Sequence, residues 1–167
     1  TTARQVMSAA AHHLTPVHLE LGGKSANIVF DDANVERAID GSLVNIFSNS
    51  GQICIAGSRI LVQRGISERF IAAFVARTRS LKVGNPLDPT VEVGPMAFKA
   101  HWEKVLDHIA RAKNDGALLL CGGEAPTDLG SGYFVTPTVF QVHNNQLPLC
   151  QEEVFGPVVS IQIFDED

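Results

Sequence analysis

The 167-residue chain has no cluster of basic residues: 13 Lys and Arg against 18 Asp and Glu leave a net charge of −5. That argues against nucleic acid or an anionic membrane as a partner, since both are recognised by a basic face. Cysteine is scarce and odd in number. Cys54, Cys121 and Cys150 show neither C-x-x-C nor C-x-H spacing, which argues against a disulfide framework or a zinc site and fits a reducing, cytoplasmic setting. The six histidines lack metal or dyad spacing and are read as surface residues. No apolar run approaches the ~20 residues that span a bilayer. The opening stretch TTARQVMSAAAHHL lacks the apolar core of a secretory signal and reads as a helix. No P-loop occurs and no G-x-G-x-x-G follows a strand, so a dinucleotide fingerprint is missing.

What is present is an ordinary globular composition, 45% apolar, without repeats or low-complexity linkers. One domain is expected. The residues predict a helix over 2–14, ended by Thr15-Pro16, then strands at VHLEL (17–21) and ANIVF (26–30) around a Leu21–Lys24 turn. Asp32 is a plausible N-cap for a helix over 33–48. RILVQ (59–63) reads as a strand, and Ser67 as the start of a further helix carrying Phe70, Ile71, Phe74, Val75, Thr78 and Leu81 inward. A Gly- and Pro-rich loop leads to a helix over 97–115. ALLLC (117–121), FVTPTVFQV (134–142) and PVVSIQIF (157–164) complete the strands. Alternating strands and helices imply an α/β sheet covered by helices.

Three stretches could carry chemistry. In SGQICIAGS (50–58) Cys54 is either a buried core thiol, the commoner fate of free cysteine, or a loop nucleophile given room by Gly51 and Gly57. The helix that precedes it offers the negative end of its dipole, which does not favour a thiolate. Glu20 in LELGGK is either a solvated strand residue or a general base beside a glycine turn, and Lys24 either a solvated turn residue or its neutralising partner. In QEEVFGPVV (151–159) the paired glutamates are either solvated or able to accept hydrogen bonds from a sugar hydroxyl. In open α/β sheets, sites lie in loops beyond the strand ends, and Glu20 and Cys54 both fall near such loops.

LELGGKSA (19–26), FSNSGQICIAGS (47–58) and EEVFGPVV (152–159) together resemble the aldehyde dehydrogenase superfamily, with 34 positions separating Glu20 from Cys54. The GNPLD and VGPM loops fit as well, and the resemblance runs co-linearly through the chain. It implies the three-layer helix-sheet-helix fold of that family's catalytic domain, incomplete, over residues 1–167, with 1–16 a helix from the cofactor-domain side. It further implies Cys54 as nucleophile and Glu20 as general base in the oxidation of an aldehyde to a carboxylic acid with NAD or NADP. Glu153 would hold the nicotinamide ribose, Phe155 pack near the ring, and Lys104 and His101 contact the adenosine side. Lys24 matches the signature lysine.

Members of the family are much longer, so the resemblance is to a central slice. The partner oxyanion-hole asparagine and the residues that grip the cofactor's ribose or phosphate fall outside it. Weak cofactor binding and homo-oligomerisation are therefore expected. Two other functions remain open: a Cys54-dependent esterase needing no cofactor, and a non-catalytic remnant or assembly module.

Overall fold

The computed structural model describes residues 2–165, so the ends of the 1–167 domain assignment lie outside it. The chain runs α1 (Thr2–Ala11), β1 (Ala26–Val29), α2 (Val35–Phe47), a 3-10 turn (Ser48–Gly51), β2 (Arg59–Gln63), α3 (Arg64–Ser80), α4 (Lys99–Asn114), β3 (Leu118–Cys121), β4 (Thr138–Val142), α5 (Pro148–Gln151) and β5 (Val158–Phe164). The strands form one sheet in the order β1-β2-β5-β4-β3. All pairs are parallel except β3 with β4, which places the single antiparallel strand at one edge. Ile60 lies opposite Ile161, and Val139 opposite Val159.

The strand residues alternate between two cores. On one face Ile60, Val62, Val139, Val159 and Ile161 pack with Ile39, Ile46, Phe70 and Phe74 of α2 and α3. On the other, Phe140, Val142 and Val158 pack with Val105, Ile109 and Ala112 of α4. Each of the Val, Ile and Phe side chains among these, fully buried, contributes about 1.5–3 kcal/mol. Helices thus cover both faces, giving the three-layer α/β arrangement expected.

Several local expectations need correction. VHLEL (17–21) forms no strand, because four of its five residues are exposed and nothing pairs with its backbone. Alternation by itself does not make a strand; it needs a sheet edge and a core to face. α2 is capped by Asn34, whose side chain accepts the Arg37 amide at 3.1 Å, rather than by Asp32. α3 continues directly from β2 at Arg64, and Ser67 lies inside it, its hydroxyl donating back to the Arg64 carbonyl. α1 stops at Ala11, and residues 134–137 precede β4 as irregular chain. α5 is a single turn begun by Pro148, a residue suited to a helix's first turn. Among the histidines, His108 is buried at 6% exposure on the inner face of α4, not a surface residue.

Candidate active site

Three parallel strands lie side by side, β1, β2 and β5, and the segments leading into them converge. Glu20 precedes β1, Cys54 precedes β2, and Glu153 and Phe155 precede β5. The site therefore lies at the amino ends of these strands. That departs from the usual placement beyond the carboxyl ends in open α/β sheets. Glu20, Leu21, Gly22, Cys54, His101, Lys104, Glu153 and Phe155 line one cleft of about 400 Å³. All five expected site residues (Cys54, Glu20, Glu153, Phe155 and Lys104) share it, and His101 joins them. A wider concavity of about 520 Å³, walled by Val35, Ile39, Arg69 and Ala73, includes no cysteine or histidine.

Cys54 is exposed, unlike Cys121 and Cys150, so the core-thiol alternative is excluded. It occupies a tight turn in which the Ala56 amide donates to the Ile53 carbonyl at 3.1 Å. α2 ends just before, and Asn49, Ser50 and Gly51 take left-handed conformations with φ of 49°, 57° and 72°. Side chains hold this reversal. Ser50 Oγ donates to the Gly94 carbonyl, Asn49 Nδ2 to the Gln52 carbonyl, and Gln52 Oε1 accepts the Ala97 amide. The flanking glycines make room for protein rather than substrate. A Cβ on Gly51 would lie 2.2 Å from the Gly156 carbonyl oxygen, and one on Gly57 2.5 Å from Asn45 Nδ2.

Glu20 is exposed and pairs with His18, whose Nε2 lies 2.7 Å from Oε1. Sequence reasoning missed this pair, whose one signal is the separation of two residues. Glu153 is half-buried, and its Oε1 accepts the Gly23 amide at 3.0 Å. Gly22 passes so close that a Cβ there would lie 2.1 Å from Glu153 Oε2, and a Cβ on Gly23 would lie 2.7 Å from the Cys54 carbonyl oxygen. The GG dipeptide is thus where the Glu20 segment, the Cys54 turn and the Glu153 segment pack together.

Lys24 follows, half-buried. Burial, the largest effect, lowers its pKa to about 8, with the charges of Cys150, Arg59, Glu153 and Glu152 acting after it. Its carbonyl accepts Arg59 Nε at 3.0 Å. Burial also pulls the His108 pKa down, opposed by Glu152, whose Oε2 lies 3.9 Å from Nδ1 and 3.5 Å from Arg111. No group of three or more His, Cys, Asp or Glu able to hold a metal ion occurs among the described residues.

An exposed thiol, two carboxylates and an aromatic ring thus line one cleft. The aldehyde dehydrogenase family profile matches residues 1–167, and the chain belongs to that family. It is 46% identical over 166 residues to betaine aldehyde dehydrogenase of Mesorhizobium japonicum, a match covering 98% of this chain and 34% of that protein. Among solved structures it is similar to HpcC of Thermus thermophilus (44% identity, TM-score 0.93, 98% of this chain and 33% of that one). It is also similar to betaine aldehyde dehydrogenase of Staphylococcus aureus in complex with NAD+ (41% identity, TM-score 0.95, 99% of this chain and 33% of that one). The chain spans about a third of the length of these relatives. No helix among the described residues is long and apolar enough to cross a membrane.

Proposed function

We propose that the cleft oxidises an aldehyde to a carboxylic acid through a covalent intermediate on Cys54. The observation that carries this reading is the meeting of Cys54, Glu20, Glu153 and Phe155 in one cleft, from segments far apart in sequence. The Cys54 thiolate attacks the aldehyde carbon, and the carbonyl oxygen takes up a proton to give a thiohemiacetal. NAD or NADP, when bound, would supply the two-electron acceptor; the adduct, having given up a hydride and its hydroxyl proton, becomes a thioester. Glu20 then takes a proton from water as its oxygen bonds to the thioester carbon; the C–S bond breaks, the acid leaves and the thiol is restored.

The residues present fit the nicotinamide end of such a cofactor. Glu153 offers carboxylate oxygens to ribose hydroxyls, and Phe155, 36% exposed, offers an aromatic face in the same cleft. Lys104 in the first turns of α4 offers positive charge to the remainder. A cleft of about 400 Å³ is small for a whole dinucleotide, which supports weak binding by this chain alone. Three unpaired cysteines support a reducing, cytoplasmic setting, and exposed Ile28, Phe30 and Val44 support self-association. Because Cys54 and Glu20 share the cleft, hydrolysis of activated esters through the same acyl group is a second activity that needs no cofactor.

The test is an aldehyde panel, with betaine aldehyde first because of the relatives' activity, incubated with and without NAD or NADP. Reduced cofactor and acid are followed together, beside the Cys54→Ala variant. Cofactor reduction lost in that variant supports the reading. Absence of any Cys54-dependent turnover, of aldehyde or of activated ester, overturns it.

A further inference from the structure

Phe155 has φ +57°, the left-handed region that an aromatic L-residue rarely adopts. Such backbone persists only where the surroundings over-determine it, and it concentrates at functional sites. The constraints here are identifiable. On one side Glu153 is tied to the Gly23 amide at 3.0 Å. On the other, the Gly156 carbonyl packs on Gly51, and Gly156 rests on α4, where a Cβ would meet Val105 Cγ2 at 2.8 Å. At Phe155 itself the carbonyl lies 2.7 Å from His101 Nε2. The His101 ring also packs edge-on against Phe155 (centroids 5.8 Å, 62°) and tilted against Phe98 (5.7 Å, 44°).

We propose that His101 is a positioning residue: its Nε2–H latches the Phe155 carbonyl, holds that peptide left-handed, and so keeps the Phe155 ring in the wall of the Cys54 cleft. A carbonyl only accepts, so Nε2 must carry the proton; the neutral Nε2–H tautomer and the imidazolium both do. With Glu153 and Gly156 fixed on either side, the His101 bond is the contact that acts on the intervening peptide itself. Losing it frees Phe155 to return to ordinary φ, which rotates the ring out of place without unfolding the loop. The consequence for ligand binding rests on the nicotinamide reading above; the latch does not.

The experiment uses the full chain labelled with 15N and 13C, as wild type, His101→Ala and His101→Gln, the last retaining an N–H donor. Imidazole 15N shifts report the tautomer, backbone shifts report the Phe155 conformation, and calorimetry reports NAD+ affinity. Wild type should show protonated Nε2 and a left-handed Phe155. His101→Ala should lose the left-handed conformation and bind NAD+ about tenfold more weakly, as for one lost hydrogen bond to a strained element. His101→Gln should keep the conformation and bind within about twofold of wild type. A wild-type Nδ1–H tautomer, a left-handed Phe155 surviving in His101→Ala, or a Gln variant as impaired as Ala would each overturn the latch. If wild type itself binds no NAD+, the nicotinamide reading fails while the Phe155 shifts still decide the latch. Should the Ala variant not fold, the wild-type tautomer and the Gln variant decide it.

Discussion

The Gly23 amide donates to Glu153 Oε1 at 3.0 Å, joining segments 130 positions apart, while Gly23 also lies against the Cys54 carbonyl. One glycine thus touches both the thiol turn and the second carboxylate. Gly23→Ala places a Cβ 2.7 Å from backbone rather than from a movable side-chain end. We expect a loss of roughly 1–3 kcal/mol in urea unfolding. The displaced turn should also change the rate at which iodoacetamide alkylates Cys54. Buried Cys121 and Cys150 should stay unmodified in both proteins, as peptide mass mapping would show. An unchanged midpoint and unchanged alkylation would refute the packing described for this junction.

Gly51 and Gly116 separate two reasons for glycine. Both have positive φ, +72° and +87°, but a Cβ on Gly51 meets the Gly156 carbonyl at 2.2 Å and one on Gly116 meets nothing within 4 Å. Gly116→Ala should cost about 1 kcal/mol, from backbone strain only. Gly51→Ala adds overpacking and should cost roughly 2–4 kcal/mol, a drop in Tm of about 4–16 °C. Thermal unfolding of the pair checks the difference, and equal costs would rule out the Gly51–Gly156 contact as the reason for glycine at 51.

The motifs stood out in the sequence because their residue types are chemically unusual where they stand, and the five residues expected at the site line one cleft. Their surroundings were less legible. VHLEL alternates like a strand, yet whether a partner edge exists is decided by the whole sheet. Asp32, expected to cap α2, stands two positions too early: the Asn34 side chain is the one that accepts the Arg37 amide. His108 was readable, since Val105, His108, Ile109 and Ala112 follow helical spacing and all are buried. The amino-end placement of the site was not, because it depends on strand order. Nor was the left-handed Phe155, a backbone state that local sequence disfavours and tertiary contacts impose.

Lys24 gives the fold a pH dependence of definite sign. Its folded pKa of about 8 lies below the ordinary 10.5, chiefly because burial penalises the charge. Below pH 8 both folded and unfolded states carry the proton and the full penalty applies; between 8 and 10.5 only the unfolded state holds it. Stability should therefore rise across that window and level off above it. Lys24→Met should remove that rise. The difference between the two proteins in urea unfolding across the window isolates Lys24 from other titrating groups, and parallel curves would contradict its buried setting.

In the proposed reaction Cys54 carries the acyl group and Glu20 drives its release. Intact mass after exposure to an activated ester, for wild type, Glu20→Gln and Cys54→Ala, follows both steps at once. Wild type should turn ester over with little standing adduct. Glu20→Gln should acylate on Cys54 and retain the adduct, with release slowed ~100-fold or more, as for loss of a general base. Cys54→Ala should acquire none. An adduct that forms without Cys54, or one released from Glu20→Gln as fast as from wild type, would contradict the proposed reaction.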